Sequence, residues 1–182
     1  MGLPKEQVKP TVGYEGIEKT VKNVMCSLEN FSSVSADTNV KSAVYLLKNS
    51  TANQIPTTGS NYLLVFENKS LAGFVGIPEL LASVQPPNLR DAWYRGWNVS
   101  SWIQPTFMKG LFTNLCHDAA EKQVRDIMEP SGSVIGAGST LEEAAFKLFS
   151  EKRDMLPVTE NEKLVGVLRA CDLFEEMINI IL

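Results

Sequence analysis

Residues 18–25 read Glu18-Lys19-Thr20-Val21-Lys22-Asn23-Val24-Met25, and residues 121–128 read Glu121-Lys122-Gln123-Val124-Arg125-Asp126-Ile127-Met128. Four of the eight positions are identical, and the others are conservative or modest exchanges. Such self-similarity marks two copies of one supersecondary unit. Downstream, Asp37-Thr38-Asn39 precedes Val40, Ala43, Val44 and Leu47, while Gly138-Ser139-Thr140 precedes Leu141, Ala144, Ala145 and Leu148. Both sets follow the i, i+3, i+4, i+7 stripe of an amphipathic helix that docks one face. Thr140 with Glu143 three residues on forms a capping box that starts the second helix.

A third match completes the unit. Leu63 to Val75 and Leu156 to Leu168 are each an apolar run, a polar turn containing Asn, and a second apolar run, which predicts a β-hairpin. A short helix follows each, at Glu79-Leu80-Leu81 and at Asp172 to Met177. The order per copy is strand, helix, strand, strand, helix. Two copies about 100 residues apart predict an α+β fold of two pseudo-symmetric repeats. The expected divisions are an N-terminal extension over 1–16, a first repeat over 17–84, an aromatic insertion over 85–120 and a second repeat over 121–182.

The copies differ between helix and hairpin, where the first carries eight extra residues around Ser50 to Ser60. That composition predicts an exposed, mobile loop. The insertion holds Trp93, Trp97, Trp102, Phe107 and Phe112, including every tryptophan of the chain. It is too apolar for a flexible linker and is expected to be helical and packed.

Composition limits the function classes. The 182 residues, 44% hydrophobic and 21% charged, suit one domain or two small ones with a sizeable core. Seventeen basic against twenty-one acidic groups give a net charge of −4, without the basic footprint of a nucleic-acid binder. No apolar run approaches the ~20 residues that span a bilayer. The opening MGLPKEQVKP has neither an apolar signal core nor the Ser or Thr of a myristoylation site, so a cytoplasmic protein without membrane contact is expected. Cys26, Cys116 and Cys171 contain no C-x-x-C and predict neither a disulfide framework nor a zinc site. The single histidine, His117, adjoins Cys116, but adjacent helical residues face apart, and the pair reads as a buried thiol beside a surface imidazole. There is no nucleophile elbow, Walker loop or metal-ligand cluster, so no catalytic residues are assigned and a non-enzyme is expected.

With the repeat established, the V-x-D-[IV]-M opener at Val124 to Met128, the L-P-V-x-[ED] strand at Leu156 to Glu160 and the G-h-h-x-x-x-D-L run at Gly166 to Leu173 resemble a cystathionine-β-synthase (CBS) domain. Val21 to Met25 is a looser copy of the opener. The resemblance covers roughly residues 17–82 and 121–180, one tandem pair and nothing else. It implies a cleft between the copies that takes an adenosine-containing ligand, a disc-like homodimer, and regulation rather than catalysis. No cofactor is implied as required. The implied ligands are AMP, ADP or ATP, with S-adenosylmethionine or NAD as alternatives, and signalling runs in trans to an unidentified protein target.

The family places its ribose carboxylate in G-h-h-[ST]-x-x-D. The resemblance therefore puts Asp172 on the ribose, with Arg169 in place of the small hydroxyl residue. That arginine could meet a phosphate through its guanidinium fork or block the pocket. Asp172 also opens a helix, where a carboxylate is expected as a cap whatever the function. In the first copy the counterparts are Glu79 and Gly76; the longer side chain shifts the carboxylate, and glycine has no hydroxyl. Base-side contacts are implied near Ile135, Gly136 and Ala137 and at Arg153, Met155, Leu156 and Pro157. Their first-copy counterparts are Val34, Ser35 and Ala36, then Asn61, Tyr62 and Leu63. The competing reading is a structural dimerisation module whose cleft no longer binds.

Overall fold

The structure, a computed structural model, describes residues 18–52, 62–85 and 110–182. The first repeat runs α1 (Val21–Val24), β1 (Cys26–Ser27), a 3-10 turn (Leu28–Asn30), β2 (Ser33–Ser35), α2 (Val40–Ala52), β3 (Tyr62–Glu67), β4 (Ser70–Gly76) and α3 (Ile77–Ser83). Helix α4 (Leu111–Ala120) leads to the second repeat. That repeat comprises a 3-10 turn (Val124–Asp126), β5 (Glu129–Pro130), β6 (Ile135–Gly136), α5 (Leu141–Glu151), β7 (Met155–Glu160), β8 (Lys163–Arg169) and α6 (Ala170–Ile181). The α+β fold of two pseudo-symmetric repeats is as the sequence predicts. Trp93, Trp97, Trp102, Phe107 and residues 53–61, Asn61 among them, lie outside the described residues.

Local chemistry sets the elements. Both hairpins turn on two residues with positive φ, Asn68 and Lys69 at 49° and 68°, Asn161 and Glu162 at 50° and 63°. That geometry is a type I′ turn, whose twist matches the strands it joins and which asparagine tolerates. The Thr140 hydroxyl accepts from Glu143 N–H at 3.1 Å, and Asn39 Oδ1 accepts from Ser42 N–H at 2.8 Å, so α5 and α2 begin at equivalent caps.

The sheets exchange their outer strands between repeats. One has the order β2-β3-β4-β5, the other β1-β8-β7-β6. Strand β1 of the first repeat thus pairs antiparallel with β8 of the second, and β5 of the second with β4 of the first. The openers cross in the same way. Val21 N–H donates to Ser139 O at 3.0 Å and Lys22 N–H to Ala137 O at 2.9 Å. The mirror pair is Val124 N–H to Thr38 O at 2.8 Å and Arg125 N–H to Ala36 O at 3.0 Å. Ion pairs repeat the pattern, with Lys22 on Glu160 at 2.8 Å and Arg125 on Glu67 at 3.2 Å. The two repeats therefore share their sheets and their opener contacts.

Three apolar clusters follow from this exchange. Val21 packs with Ile135, Ala144, Leu148, Leu156, Val158 and Leu168 in the second repeat's core. Val124 packs with Val34, Ala43, Leu47, Leu63, Val65 and Val75 in the first's. Strands β3 and β7 are buried on both faces: their Leu64 and Met155, with Phe74 of β4 and Val167 of β8, meet Phe31 in a shared seam. Burying one valine this fully is worth about 1.5–3 kcal/mol, so each opener anchors the opposite repeat substantially.

The crossing strands approach closely at two matched glycines. A Cβ on Gly166 would lie 2.6 Å from Cys26 O, and one on Gly73 would overlap Glu129 O outright. Gly138 has nothing within 4 Å of such an atom. Gly73→Ala and Gly166→Ala should each cost more than about 2 kcal/mol in urea denaturation, with Gly138→Ala near neutral. Equal effects at all three positions would refute the close-approach account.

Candidate functional site

Strands β4 and β8 each end where a helix begins, and a carboxylate sits in each first turn. Asp172 Oδ2 accepts from Arg169 N–H at 2.8 Å, and Glu79 Oε2 accepts from Gly76 N–H at 2.8 Å. The two groups are equivalent by repeat symmetry, and both satisfy an orphan amide while complementing the helix dipole.

Their surroundings then diverge. Arg169 folds back on Asp172: its Nε donates to Oδ1 and Oδ2 at 3.0 Å each, and its Nη2 also donates to Oδ1. Arg169 and Asp172 are each only 6% exposed. The Cys26 thiol, carried across by β1, donates to Asp172 Oδ1 at 3.8 Å. The carboxylate holds the guanidinium above its ordinary pKa, chiefly through these hydrogen bonds. One guanidinium nitrogen, Nη1, is buried with no hydrogen-bond partner among the described residues. Burial, and secondly the Asp172 charge, push the Cys26 thiol up; burial also raises that of Cys171, so both stay protonated and weakly nucleophilic near neutrality. Arg169 is thus turned onto Asp172 and covers its carboxylate.

At the first-repeat end, Glu79 is half-buried, and its one described hydrogen bond is the amide of Gly76. Tyr62, paired with Gly76 across β3 and β4, has its phenol pushed up to about 12 by burial, then by the charges of Glu79, Asp154 and Glu129. Burial also raises the Glu129 carboxyl, against the pull of Arg153. Arg153 does not join Arg169. Its Nη1 donates to Pro130 O at 2.7 Å, and it pairs with Glu129 at 3.3 Å and Glu151 at 3.7 Å.

The base-side candidates fall into three groups. Ile135, Ala137 and Leu156 are buried in the second repeat's core, and Val34, Ala36 and Leu63 occupy matching positions in the first. Met155 and Tyr62 sit at the shared seam, and Pro157 is fully buried. Gly136 and Ser35 are exposed at the ends of β6 and β2, paired with Thr159 and Phe66. Sequence reasoning did not single out Cys26 or Glu129. Each reaches the opposite repeat's carboxylate only because its strand crosses over, and no local motif announces that.

A separate apolar groove of about 710 Å³ lies between α5 and α6, lined by Leu148, Phe149, Leu173, Phe174 and Met177 with Arg153 and Asp154 at one edge. Phe149 and Phe174 are 85% and 58% exposed. No helix of the described residues is long and apolar enough to cross a membrane, and no group of three or more His, Cys, Asp or Glu among them could hold a metal ion.

Comparison with known proteins identifies the fold. Residues 124–179 match the sequence model of the CBS domain family. No curated protein sequence matches the chain. Among solved structures, the CBS-pair protein CBSX2 from Arabidopsis thaliana is 26% identical, with a TM-score of 0.62 over 90% of this chain and 97% of that one. A structure of CBSX2 in complex with AMP is 24% identical, with a TM-score of 0.57 over 89% and 98%. The cytosolic domain of the Mg2+ channel MgtE in complex with ATP is 16% identical, with a TM-score of 0.50 over 81% of this chain and 45% of that one. Residues 124–179 match the CBS domain, and the chain has the fold of the CBS-pair structures it resembles.

Two predictions follow from the site. Asp172→Ala leaves a buried guanidinium uncompensated and should cost about 3–5 kcal/mol, whereas Glu79→Ala gives up one cap bond and should cost about 1 kcal/mol, both read by urea denaturation. Tyr62 titrates higher folded than unfolded, so its contribution is complete below pH 10 and is lost as pH rises toward 12. Tyr62→Phe should flatten the loss of stability between pH 10 and 12; an unchanged slope would place the alkaline transition elsewhere.

Proposed function

We propose that this protein is a non-catalytic regulatory module that takes an adenine nucleotide at the seam between its repeats and signals occupancy to a protein partner. The observation carrying this reading is the pair of symmetry-related carboxylates, Asp172 and Glu79, at the starts of α6 and α3. A carboxylate is the natural acceptor for a ribose diol, and the apolar seam beside it suits a purine. The AMP complex of CBSX2 and the ATP complex of the MgtE cytosolic domain lend support from the same fold. Arg169, Gly136, Ala137, Ile135, Arg153, Met155, Leu156 and Pro157 form the proposed second-repeat surroundings. Gly76, Val34, Ser35, Ala36, Asn61, Tyr62 and Leu63 form those of the first. S-adenosylmethionine and NAD serve as comparison ligands.

One observation favours a second reading. The ion pair of Arg169 with Asp172 fills the carboxylate's acceptor positions, as a structural module with a closed cleft would have it. A thermal-shift panel of AMP, ADP, ATP, NAD and S-adenosylmethionine decides between them. A ligand at 100 times its dissociation constant should stabilise the fold by about 2.7 kcal/mol. No shift with any of the five at millimolar concentration would leave the scaffold reading standing.

The same module is proposed to be a homodimer. The groove between α5 and α6 presents phenylalanines that a second copy would cover. Light scattering at micromolar concentration should give twice the chain mass, and Phe149→Glu with Phe174→Glu should give the monomer. A monomeric wild-type chain would remove this part of the proposal.

A further inference from the structure

Each repeat turns a pair of helices outward, α2 with α3 in the first and α5 with α6 in the second, and the two faces are not alike. Repeat equivalence matches Val44 with Ala145, and Ile77 with Ala170. In the second repeat the two alanines line the groove of about 710 Å³, between the flanking Phe149 and Phe174. In the first repeat Val44 and Ile77 put larger side chains at the same positions. They are 45% and 47% exposed, and Leu81, one turn beyond Ile77, is 56% exposed. One face is hollowed and the other raised. Close packing favours a ridge set in a groove, because two grooves placed face to face leave apolar atoms without neighbours.

Charge distinguishes the faces in the same sense. Helix α2 carries Lys41 and Lys48 and no acidic residue, whereas α5 carries Glu142, Glu143 and Glu151 against the single Lys147. Lys41 and Glu142 occupy equivalent positions, and both are exposed. Pairing each face with its own copy sets lysines near lysines and glutamates near glutamates. Pairing unlike faces brings opposite charges together, and complementary charge across an interface fixes its orientation. Helices α3 and α6 carry only acidic charges and do not oppose that choice.

We infer that two copies of this chain pair head to tail, each setting the α2–α3 ridge of its first repeat into the α5–α6 groove of the other's second repeat. A closed two-fold dimer then holds two identical contacts of unlike faces. The inference rests on the homodimer reading above and goes beyond it by fixing which face meets which.

Light scattering of the full-length chain over a dilution series tests the orientation, with one charge placed on each face. Leu81→Glu alone, and Phe174→Lys alone, should each weaken the dimer at least about tenfold. The double variant puts glutamate and lysine together in both contacts and should return to within about tenfold of the wild type. Pairing of like faces predicts the reverse, since the double variant would then meet glutamate with glutamate and lysine with lysine. If Phe174→Lys does not fold, Phe149→Lys takes its place, on a side chain that is 85% exposed. A double variant that dimerises no more tightly than the single ones, or single variants as tight as the wild type, would overturn the inference while leaving a dimer. A wild-type chain that stays monomeric would instead remove the homodimer reading itself.

Discussion

The exchange of openers between repeats is the constraint on which the rest of the molecule depends. Val21 is fully buried in the second repeat's core and Val124 in the first's, and each, with the residue after it, is fixed by two backbone hydrogen bonds to the loop before the opposite helix. Neither repeat can complete its core or its outer strand alone. Gly73 and Gly166 make the arrangement sterically possible, because the crossing strands bring Glu129 and Cys26 carbonyls to where a Cβ would stand. The crossing also delivers chemistry. Cys26 arrives at Asp172, and Glu129 arrives near Glu79 and Arg153.

A second constraint acts at the seam, where two equivalent carboxylates have different fates. Asp172 is enclosed with Arg169, and that buried pair contributes little net stability compared with an apolar packing, while breaking it from one side is expensive. Glu79 keeps the helix-capping duty alone. A pseudo-symmetric fold therefore carries an asymmetric site, with arginine in one copy against glycine in the other and Asp172 against the longer Glu79.

Much of the architecture was legible in the residues. The Asn-containing turns at 68–69 and 161–162 announced hairpins because asparagine accepts positive φ, and both turns are where the pattern placed them. The Thr140 cap and the apolar stripes of α2 and α5 were legible for the same reason: local geometry depends on residues a few positions apart. Helix α2 runs to Ala52, past the Ser50 at which the loop was expected to begin, a difference of the size that helix ends commonly show. The site was legible in part. Glu79 and Asp172 could be located from the repeat, and Arg169 was visible as a departure, but whether it would reach outward or back onto Asp172 depends on what encloses it.

The sequence by itself determined that two copies of one unit exist, that each holds an amphipathic helix, a hairpin and a closing helix, and which carboxylates open the last helix of each. These are properties of spacing, propensity and self-similarity along the chain. Only the tertiary structure decided that each opener belongs to the opposite copy, since the docking of Val21 on Ser139 and of Val124 on Thr38 joins residues far apart in the chain. It also decided that Arg169 is buried on Asp172. Burial removes the water that would otherwise solvate both charges, and each group takes the other as its counter-ion.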